Sequence, residues 1–414
     1  SPEPSPAPEP TPAPEPEPSS GLAKLRVSGK NFYAGSKPII LNYYALWGMG
    51  SLKTNADVDY AIRKLKSIGY NSFGYVTWGM GYYKSSTCVD NANHPNIARN
   101  DYIIRKAKEH GMYVQMIHGW GDHTRDYKSK ANAIACIKFM GNRYKNQSHV
   151  FHSVTNEYTR GNGERYISWY KEMGRALNGV TSQLISLHPE GSSSQKNSTH
   201  YDFGSQGWHD FATVQTWDQY SRIDDIVYEA WKQGEPVCAN EHKYEGETVS
   251  RGTSAKVNAK LIREQAIIAF LSGSKCLSYG NVGWAGARDG KNWKGSMNWE
   301  GANDLRNLLK TFDYPKTSIT NFIPGQRVSF ATGSGVFDGC YANKRCFAFD
   351  KNGGNVSVNL NVLSGSKADV YRVDMRNGSA SKVGTYTSSG KRSFSLSANH
   401  VLVVNDAAAG LGAF

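Results

Sequence analysis

Residues 149–158 read HVFHSVTNEY. The first six, with Val and Phe spaced among His and Ser, predict a short buried strand. That strand ends on an amide and a carboxylate, Asn156 and Glu157. A strand that meets solvent would explain this ending, and so would an acid placed at the mouth of a barrel of strands. The rest of the chain distinguishes these two interpretations.

Short apolar runs of this kind alternate with longer amphipathic stretches through most of the chain. The runs predict parallel strands buried on both faces, and the stretches between them predict helices that cover the strands. The predicted strands are residues 39–46, 71–78, 112–120, 150–157, 183–189, 211–217, 235–241 and 275–281. The predicted helices are residues 56–68, 100–110, 129–144, 164–178, 222–233, 254–272 and 301–312.

Eight strands, most of them followed by a helix, predict an α/β fold of the (β/α)8 TIM barrel type. The eight units occupy roughly 280 residues, which suits a barrel of this type. A doubly wound open sheet is the alternative. Against it, no GxGxxG motif or phosphate-binding loop follows an early strand.

The barrel is predicted to be one of four parts of the chain. Residues 1–20 have Pro at every even position up to 18 and predict a disordered linker rich in Pro and Glu. Residues 21–317 are assigned to the barrel, with an N-terminal β-hairpin at 21–37. Residues 318–406 contain short β runs separated by Gly, Asn and Ser, and they predict an antiparallel β-sandwich. Residues 407–414 are left as a tail without assigned structure.

Charge and aromatic content indicate the class of ligand. The net charge is +13, and since the first 20 residues hold four Glu and no Lys or Arg, the remainder carries +17. A basic body favours a polyanionic partner, either an anionic polysaccharide or nucleic acid. No long run of Lys or Arg and no nucleic-acid motif occurs, so we predict no nucleic-acid partner. The 24 Tyr and 10 Trp fit either large cores or a cleft that stacks on sugar rings.

The linker and the cysteines bear on where the protein acts. No stretch reaches the roughly 18 apolar residues of a membrane span, and the chain begins without a signal peptide, which we interpret as processing. Because Pro-rich spacers tether modules to each other or to a surface, we expect a secreted or cell-surface protein.

Cys340 and Cys346 flank a turn and predict a hairpin disulfide. The cysteines predicted to be buried free thiols are Cys136, Cys238 and Cys276.

In a (β/α)8 barrel the active residues lie at the C-terminal ends of the strands. Two predicted strand ends carry a carboxylate, Glu157 at the fourth strand and Glu241 at the seventh. The other ends carry amides, imidazoles and aromatic rings, a composition suited to binding a carbohydrate. The candidate substrate-binding residues are Asn156, Asn42, Tyr43, Trp47, Trp78, His118, Trp120, His188, Gln215, Trp217, Tyr244, Tyr279 and Trp284.

Two carboxylates at facing strand ends suit the hydrolysis of a glycosidic bond. That reaction needs one carboxylic acid to protonate the leaving oxygen, and a second carboxylate that attacks the anomeric carbon or activates water. The fourth and seventh strands face each other across an eight-stranded barrel, so their carboxylates can flank one bond. Asn156 can hold a sugar hydroxyl beside that bond.

VTNEY at the fourth strand and CANEHKYEG at the seventh resemble the motifs of the clan A glycoside hydrolases. Four further stretches resemble a narrower group, the apiosidase-like barrel hydrolases with a C-terminal β domain of the type named collagen-binding. They are LHPEGSSS (187–194), FATVQTWD (211–218), EHKYEG (241–246) and REQAIIAFLSGSKCLSYGN (263–281). That group often has Asp where this chain has Glu157.

The resemblance spans about residues 22–406 and implies a retaining glycoside hydrolase without metal or cofactor. It implies that Glu157 is the acid/base, that Glu241 is the nucleophile, and that the partner is a polysaccharide or oligosaccharide substrate. The linker would tether the enzyme to another module or to a cell surface.

Several alternatives remain open at this stage. Glu245 is a second candidate for the nucleophile. His118 and His188 are either sugar ligands or core histidines, and the tryptophans are either stacking platforms or core. The stretch HGWGDH at 118–123 superficially suggests a metal site, but no third ligand follows at a suitable spacing and we predict none. The alternative function is a non-catalytic protein that binds carbohydrate or matrix on a barrel scaffold.

Overall fold

The structure is a computed structural model, and it describes residues 21–77, 95–191, 198–250, 253–285, 292–312 and 321–413. The predicted linker at 1–20 and the predicted site residue Trp78 lie outside these residues. Among the helices that are described, none combines the length and the apolar character that crossing a bilayer requires.

A small antiparallel sheet precedes the barrel. Its three strands are β1 (Leu25–Ser28), β2 (Asn31–Ala34) and β3 (Lys37–Ile39), one more than the predicted hairpin. Phe32 of β2 is buried and packs edge-on against Phe211, with ring centroids 5.1 Å apart. The sheet therefore covers the N-terminal ends of the barrel strands.

Eight parallel strands form the barrel, which confirms the predicted fold class. They are β4 (Leu41–Ala45), β5 (Ser72–Val76), β6 (Tyr113–Ile117), β7 (Val150–Ser153), β8 (Ile185–Ser186), β9 (Ala212–Gln215), β10 (Val237–Glu241) and β11 (Cys276–Tyr279). Each lies within one of the predicted runs, and every residue in them is buried. Burial on both faces explains why these runs are almost continuously apolar.

The barrel closes through two kinds of pairing. Regular ladders join the strands in the order β11-β4-β5-β6-β7-β8, and a separate ladder joins β9 to β10. Between β8 and β9, Asp210 N donates to Ile185 O at 2.9 Å. Between β10 and β11, Lys275 N donates to Val237 O at 2.7 Å. These bonds bring the C-terminal ends of all eight strands to one side.

Helices surround the barrel at the predicted positions. The long ones are α1 (Asn55–Ser67), α2 (Pro95–Glu109), α3 (Lys130–Tyr144), α4 (Ile167–Asn178), α6 (Ile223–Lys232), α7 (Ala259–Leu271) and α10 (Glu300–Phe312). Short helices lie in the loops, namely α5 (His200–Phe203), α8 (Val282–Ala285) and α9 (Trp293–Ser296).

The first helix shows how the sequence specifies this layer. The Thr54 hydroxyl accepts a hydrogen bond from Asp57 N at 3.1 Å and caps α1. Buried apolar residues then follow at helical spacing, namely Val58, Ala61, Ile62 and Leu65. One face of α1 therefore packs on the strands while the other faces solvent.

The C-terminal region is antiparallel β structure, as predicted. Its elements are β12 (Phe322–Pro324), α11 (Gly325–Val328), β13 (Ala331–Thr332), β14 (Val336–Tyr341), β15 (Arg345–Asp350), β16 (Gly354–Asn359), β17 (Lys367–Asp374), β18 (Ser379–Thr387), β19 (Lys391–Leu396) and β20 (His400–Asp406). A six-stranded sheet, β12-β14-β15-β20-β17-β18, and a three-stranded sheet, β13-β16-β19, enclose a second apolar core.

The β domain packs directly on the barrel helices α7 and α10. The rings of Phe312 and Phe347 lie 5.1 Å apart, and Tyr341 donates its hydroxyl to Phe312 O at 2.7 Å. Arg263 of α7 donates to the Asn399 side chain at 2.8 Å. One continuous apolar core includes residues of both parts, so the β domain braces the barrel.

The prediction of free thiols was wrong. Cys238 and Cys276 form a disulfide between the adjacent strands β10 and β11, with Cα atoms 4.8 Å apart, and Cys136 is also disulfide-bonded. Apolar residues on either side of a cysteine indicate that the cysteine is buried. They do not indicate which strands become neighbours in the barrel. The hairpin disulfide between Cys340 and Cys346 is confirmed.

Residues 407–413, which the sequence leaves without assigned structure, begin with a short helical turn at Ala407–Ala409 and contact the β domain. Arg345 is fully buried and donates to Gly412 O at 3.0 Å and to Ala413 O at 2.6 Å. Asn405 Nδ2 donates to Gly412 O at 2.8 Å. A buried guanidinium requires acceptors for its N–H groups, and the carbonyls of Gly412 and Ala413 supply two of them.

Candidate active site

Glu157 follows β7 in a tight turn with a left-handed backbone. Its φ is +42°, a conformation that costs a residue other than glycine about 1–3 kcal/mol. Gly121 packs so closely on this turn that a Cβ there would lie 2.0 Å from Glu157 O. Gly121 N also donates to Asn156 O at 2.9 Å. Backbone held in such a conformation is typical of functional sites.

The Glu157 carboxylate is buried at the end of the barrel and has two nitrogen donors. Its Oε2 accepts from Trp120 Nε1 at 2.8 Å and from Arg160 Nη1 at 2.5 Å. The Arg160 side chain is 49% exposed, so this ion pair lies at the solvent edge. Burial raises the pKa of Glu157 and the charge of Glu241 raises it further, while Arg160 and His188 oppose the rise. A carboxyl group with a raised pKa is suited to donating a proton.

Glu241 is the last residue of β10 and is 3% exposed. The pairing with β9 shifts register after Ala239, which turns the end of the strand. The Tyr244 hydroxyl donates to Glu241 Oε1, and His188 Nε2 lies 2.7 Å from Oε2. The hydrogen bond from Tyr244 orients the carboxylate and stabilises its negative charge, and the His188 ring packs against the other oxygen.

Trp47, directly after β4, joins the surroundings of the two carboxylates. Its Nε1 donates to the Tyr244 hydroxyl at 2.5 Å. Its ring packs edge-on against Trp120 and against His188, with centroids 6.4 and 5.9 Å away. Residues that follow five different strands therefore meet in one cluster at the C-terminal end of the barrel.

Several buried nitrogens in this cluster, among them atoms of Asn156 and His188, have no hydrogen-bond partner among the described residues. Asn156 is fully buried; its Oδ1 accepts from Ser153 Oγ at 3.2 Å, but its Nδ2 donates to nothing. The Nδ1 of His188 is likewise without a partner. Since buried polar atoms are normally hydrogen-bonded, these nitrogens are available to a ligand that enters the site.

Predicted aromatic residues extend the cluster on the side of β9. Trp217 is partly exposed and packs edge-on against Tyr244, with ring centroids 4.4 Å apart. Gln215 is buried at the end of β9. Trp284 is buried and packs against Trp293 at 4.8 Å, so its ring belongs to the core. Of these three, Trp217 is the residue whose side chain is partly exposed to solvent.

Two predicted residues of β4 lie below the site. Asn42 Nδ2 donates to Gly69 O at 3.0 Å, in the loop that leads into β5, near the opposite end of the strands. The Tyr43 hydroxyl donates to Gln115 Oε1 at 2.7 Å inside the barrel. Burial raises the pKa of Tyr43 well above its usual range, and the charge of Glu241 adds to this. Tyr43 therefore supports the floor of the site.

His118 lies in the barrel interior and not beside the carboxylates. Its Nε2 is 2.9 Å from His152 Nδ1, and His152 Nε2 is 2.7 Å from Gln183 Oε1. Burial lowers the pKa of His118 well below its usual range and that of His152 to about 4, so this pair is neutral at physiological pH. Across the part of the chain that is described, no cluster of three His, Cys, Asp or Glu side chains could hold a metal ion.

Glu245, the second candidate for the nucleophile, has structural partners. It accepts from the Tyr279 hydroxyl at 2.6 Å and from Gly301 N, in the first turn of α10, at 3.3 Å. A carboxylate at a helix N-terminus stabilises the helix. A Cβ at Gly301 would lie 2.7 Å from the same carboxylate, so the contact is tight. Glu245 and Tyr279 together fasten β11 to α10.

Sequence reasoning missed two residues next to the carboxylates. Arg160 pairs with Glu157 three positions earlier, an i,i+3 contact that the helical turn after Glu157 creates. Asn240 is buried directly before Glu241. The repeated dipeptide Asn-Glu, at both strand ends, was the signal that could have identified Asn240. No signal in the sequence identifies Arg160, because many arginines occur in loops.

A family model described as "Apiosidase-like, catalytic domain" matches residues 34–316. A solved structure described as a glycoside hydrolase superposes with a TM-score of 0.81 and 19% identity, covering 95% of this chain and 98% of its own. A glycoside hydrolase family 5 structure from Bacteroides vulgatus ATCC 8482 has a TM-score of 0.79 and 19% identity, covering 93% of this chain and 94% of its own. No curated protein matches the sequence.

The first two structures cover nearly the whole chain, so the barrel and the β domain recur together in them. A third structure, a cellulase, covers 72% of this chain and 94% of its own, with a TM-score of 0.52 and 16% identity. At these identities the likeness concerns the fold, and the matched family model concerns the catalytic domain.

Proposed function

The chain belongs to the apiosidase-like family and is a glycoside hydrolase, and we propose that Glu157 and Glu241 carry out the hydrolysis with retention of configuration. Glu157 is the acid/base and Glu241 is the nucleophile. One observation carries this proposal. The two carboxylates lie in a single cluster at the C-terminal end of the barrel, and the charge of Glu241 raises the pKa of Glu157.

The surroundings support different roles for the two carboxylates. Burial and the negative charge of Glu241 raise the pKa of Glu157, which favours the protonated form that a general acid requires. The Tyr244 hydroxyl and the His188 ring face Glu241 and orient its oxygens for attack. Family membership favours this catalytic reading over a non-catalytic carbohydrate-binding protein.

The reaction proceeds in two displacements. In the first, Glu241 attacks the anomeric carbon while Glu157 gives its proton to the leaving oxygen, and a glycosyl ester forms on Glu241. In the second, Glu157 takes a proton from water as the water oxygen attacks the anomeric carbon, and the ester bond to Glu241 breaks. The free Nδ2 of Asn156 donates to a sugar hydroxyl next to the reacting carbon.

The substrate is a polysaccharide or an oligosaccharide derived from one, and the positive body of the protein favours an anionic one. The partly exposed ring of Trp217 provides a surface on which a sugar stacks. We also propose that the protein is secreted or held at a cell surface. The disulfides of the structure support this location, because such bonds persist in oxidising compartments.

Activity should be sought on a panel of acidic and neutral polysaccharides, with reducing ends counted and products sized by chromatography. On the responsive substrate, Glu157→Gln is expected to lower kcat/KM by about 10²–10⁴. Glu241→Gln is expected to lower it by at least as much, because the covalent step is lost. The matched control is Glu109→Gln, which removes a carboxylate on the outer surface of α2 and should leave the rate unchanged.

The configuration of the first product, followed by proton NMR, tests the mechanism separately. Release of the inverted anomer would refute the retaining mechanism. Wild-type rates in both Glu157→Gln and Glu241→Gln would refute the assignment of the site. Loss of activity in a folded Glu245→Gln protein, with Glu241→Gln active, would transfer the role of nucleophile to Glu245.

A further inference from the structure

A cavity of about 480 Å³ lies at the N-terminal side of the barrel, remote from the strand ends that carry the two catalytic carboxylates. Its walls come from the turn between β1 and β2, the end of α6, the residue before β11 and the first strand of the β domain. The residues that matter for its chemistry are Lys30, Trp231, Lys275 and Phe322. The volume suffices for a ligand of the size of a sugar ring.

Lys275 is a buried lysine, and none of the described residues sets a carboxylate against it. It is 2% exposed, and no hydrogen bond or ion pair joins its Nζ to another of the described residues. The contacts of Nζ are the ring faces of Phe322 and Phe270, with centroids 4.9 and 5.8 Å away. Burying an ammonium group without an anionic or hydrogen-bonding partner is strongly unfavourable, so it is rare in proteins.

The other charges at the cavity are also positive. Lys30 Nζ lies 3.1 Å from the centroid of the Trp231 ring, which itself packs closely on Gly273. Burial lowers the pKa of both lysines. The positive charge of Lys30 lowers the pKa of Lys275 further, and the positive charge of Arg327 in α11 does the same to Lys30. No carboxylate among the described residues raises the pKa of either lysine. Two lysines therefore line a cavity to which none of the described lining residues contributes a carboxylate, and the exposed Arg327 adds a third positive charge nearby.

We propose that this cavity is a binding site for a small oxyanion, a carboxylate, sulfate or phosphate group, with the Lys275 ammonium as its buried partner. The ligand supplies a negative charge that the described lining residues do not, and the N–H groups of Lys275 and Lys30 donate to its oxygens. Because the cavity is lined by both barrel and β domain, the bound anion joins the two. The site is separate from the catalytic cluster and does not depend on the proposed mechanism.

Binding is measured by isothermal titration calorimetry of the full chain at pH 6.5, in a buffer free of sulfate and phosphate. The probes are galacturonate, sodium sulfate and inorganic phosphate, and galactose is the neutral match for galacturonate. Lys275→Met and Lys30→Met are each expected to weaken anion binding by about tenfold or more. The control is Lys382→Met, which removes an exposed lysine of the β domain that is paired with Asp369 and should leave binding unchanged.

The arms also identify the source of the oxyanion. Preference for galacturonate indicates an acidic sugar, and preference for sulfate or phosphate indicates a free inorganic anion. Should Lys275→Met fail to fold, Lys30→Met, in which the buried lysine is kept, still tests the site. The proposal is overturned if none of the anions binds, if galactose binds as well as galacturonate, or if both lysine variants retain wild-type affinity.

Discussion

Replacing Lys275 by Met should stabilise the protein, and the gain should depend on pH. The two side chains have similar volume, so the cavity wall keeps its shape while the charge disappears. In the folded protein, burial and the nearby charge of Lys30 lower the pKa of Lys275 from 10.5 to about 7. The unfolded chain exposes the same lysine to water, where its pKa is ordinary.

The magnitude follows from this difference. A drop from 10.5 to about 7 corresponds to about 5 kcal/mol of preference for the neutral form in the folded state. Below pH 7 both states are protonated, and the folded protein bears this whole penalty. Between pH 7 and 10.5 the unfolded chain binds more protons than the folded one, so the penalty is relieved as the pH rises. The advantage of Lys275→Met should therefore be at most about 5 kcal/mol at pH 6 and should shrink towards zero near pH 10.

Urea unfolding of the wild type and of Lys275→Met at pH 6, 7.5 and 9 measures this advantage directly. Subtracting one protein from the other cancels the titration of all other groups. Lys382→Met, an exposed and paired lysine, controls for the general effect of losing one positive charge. A difference between wild type and Lys275→Met that is the same at all three pH values would refute the claim of an uncompensated buried charge. Adding an anion that binds the cavity should reduce the difference at pH 6.

Three further predictions concern the site and the barrel. Because Arg160 opposes the rise in the pKa of Glu157, Arg160→Met should move the alkaline limb of the kcat/KM profile to higher pH, and an unmoved limb would count against Glu157 as the acid. Gly121→Ala should lower both activity and the melting temperature, since its Cβ would lie 2.0 Å from Glu157 O, whereas Gly207→Ala, with open space around it, should change neither. Cys238→Ser opens a disulfide that closes a loop of 38 positions, so it should lower the free energy of unfolding by about 3–4 kcal/mol in denaturant titrations, and the deficit should vanish when the wild type is reduced.

The strand ends were predictable because the pattern of burial is local. Each barrel strand is buried on both faces, so its apolar run stands out from the polar loops that flank it. Glu157 and Glu241 were identifiable as the residues that end the fourth and seventh runs, and the order of strands in a barrel indicated that they face each other. The cap at Thr54 and the hairpin disulfide are equally local, since both partners lie within a few residues.

The contacts between distant parts of the chain were not predictable in this way. Trp47 Nε1 and the Tyr244 hydroxyl are 197 positions apart, and nothing near either residue indicates the other. The bond between Cys238 and Cys276 depends in the same way on which strands become neighbours. Asn42 was expected at the site because it lies in the right strand, but its position along the strand sends its side chain to the opposite end.

By itself, the sequence determined the barrel, its order of strands and the β domain, and it proposed the pair of carboxylates, because repeating patterns of apolar and polar residues reflect burial one segment at a time. Only the tertiary structure decided what surrounds those carboxylates and that Lys275 lies in a cavity among other cations. The physical reason is that the energy of a buried charge depends on every group within a few ångströms of it, and closure of the barrel draws those groups from the whole length of the chain.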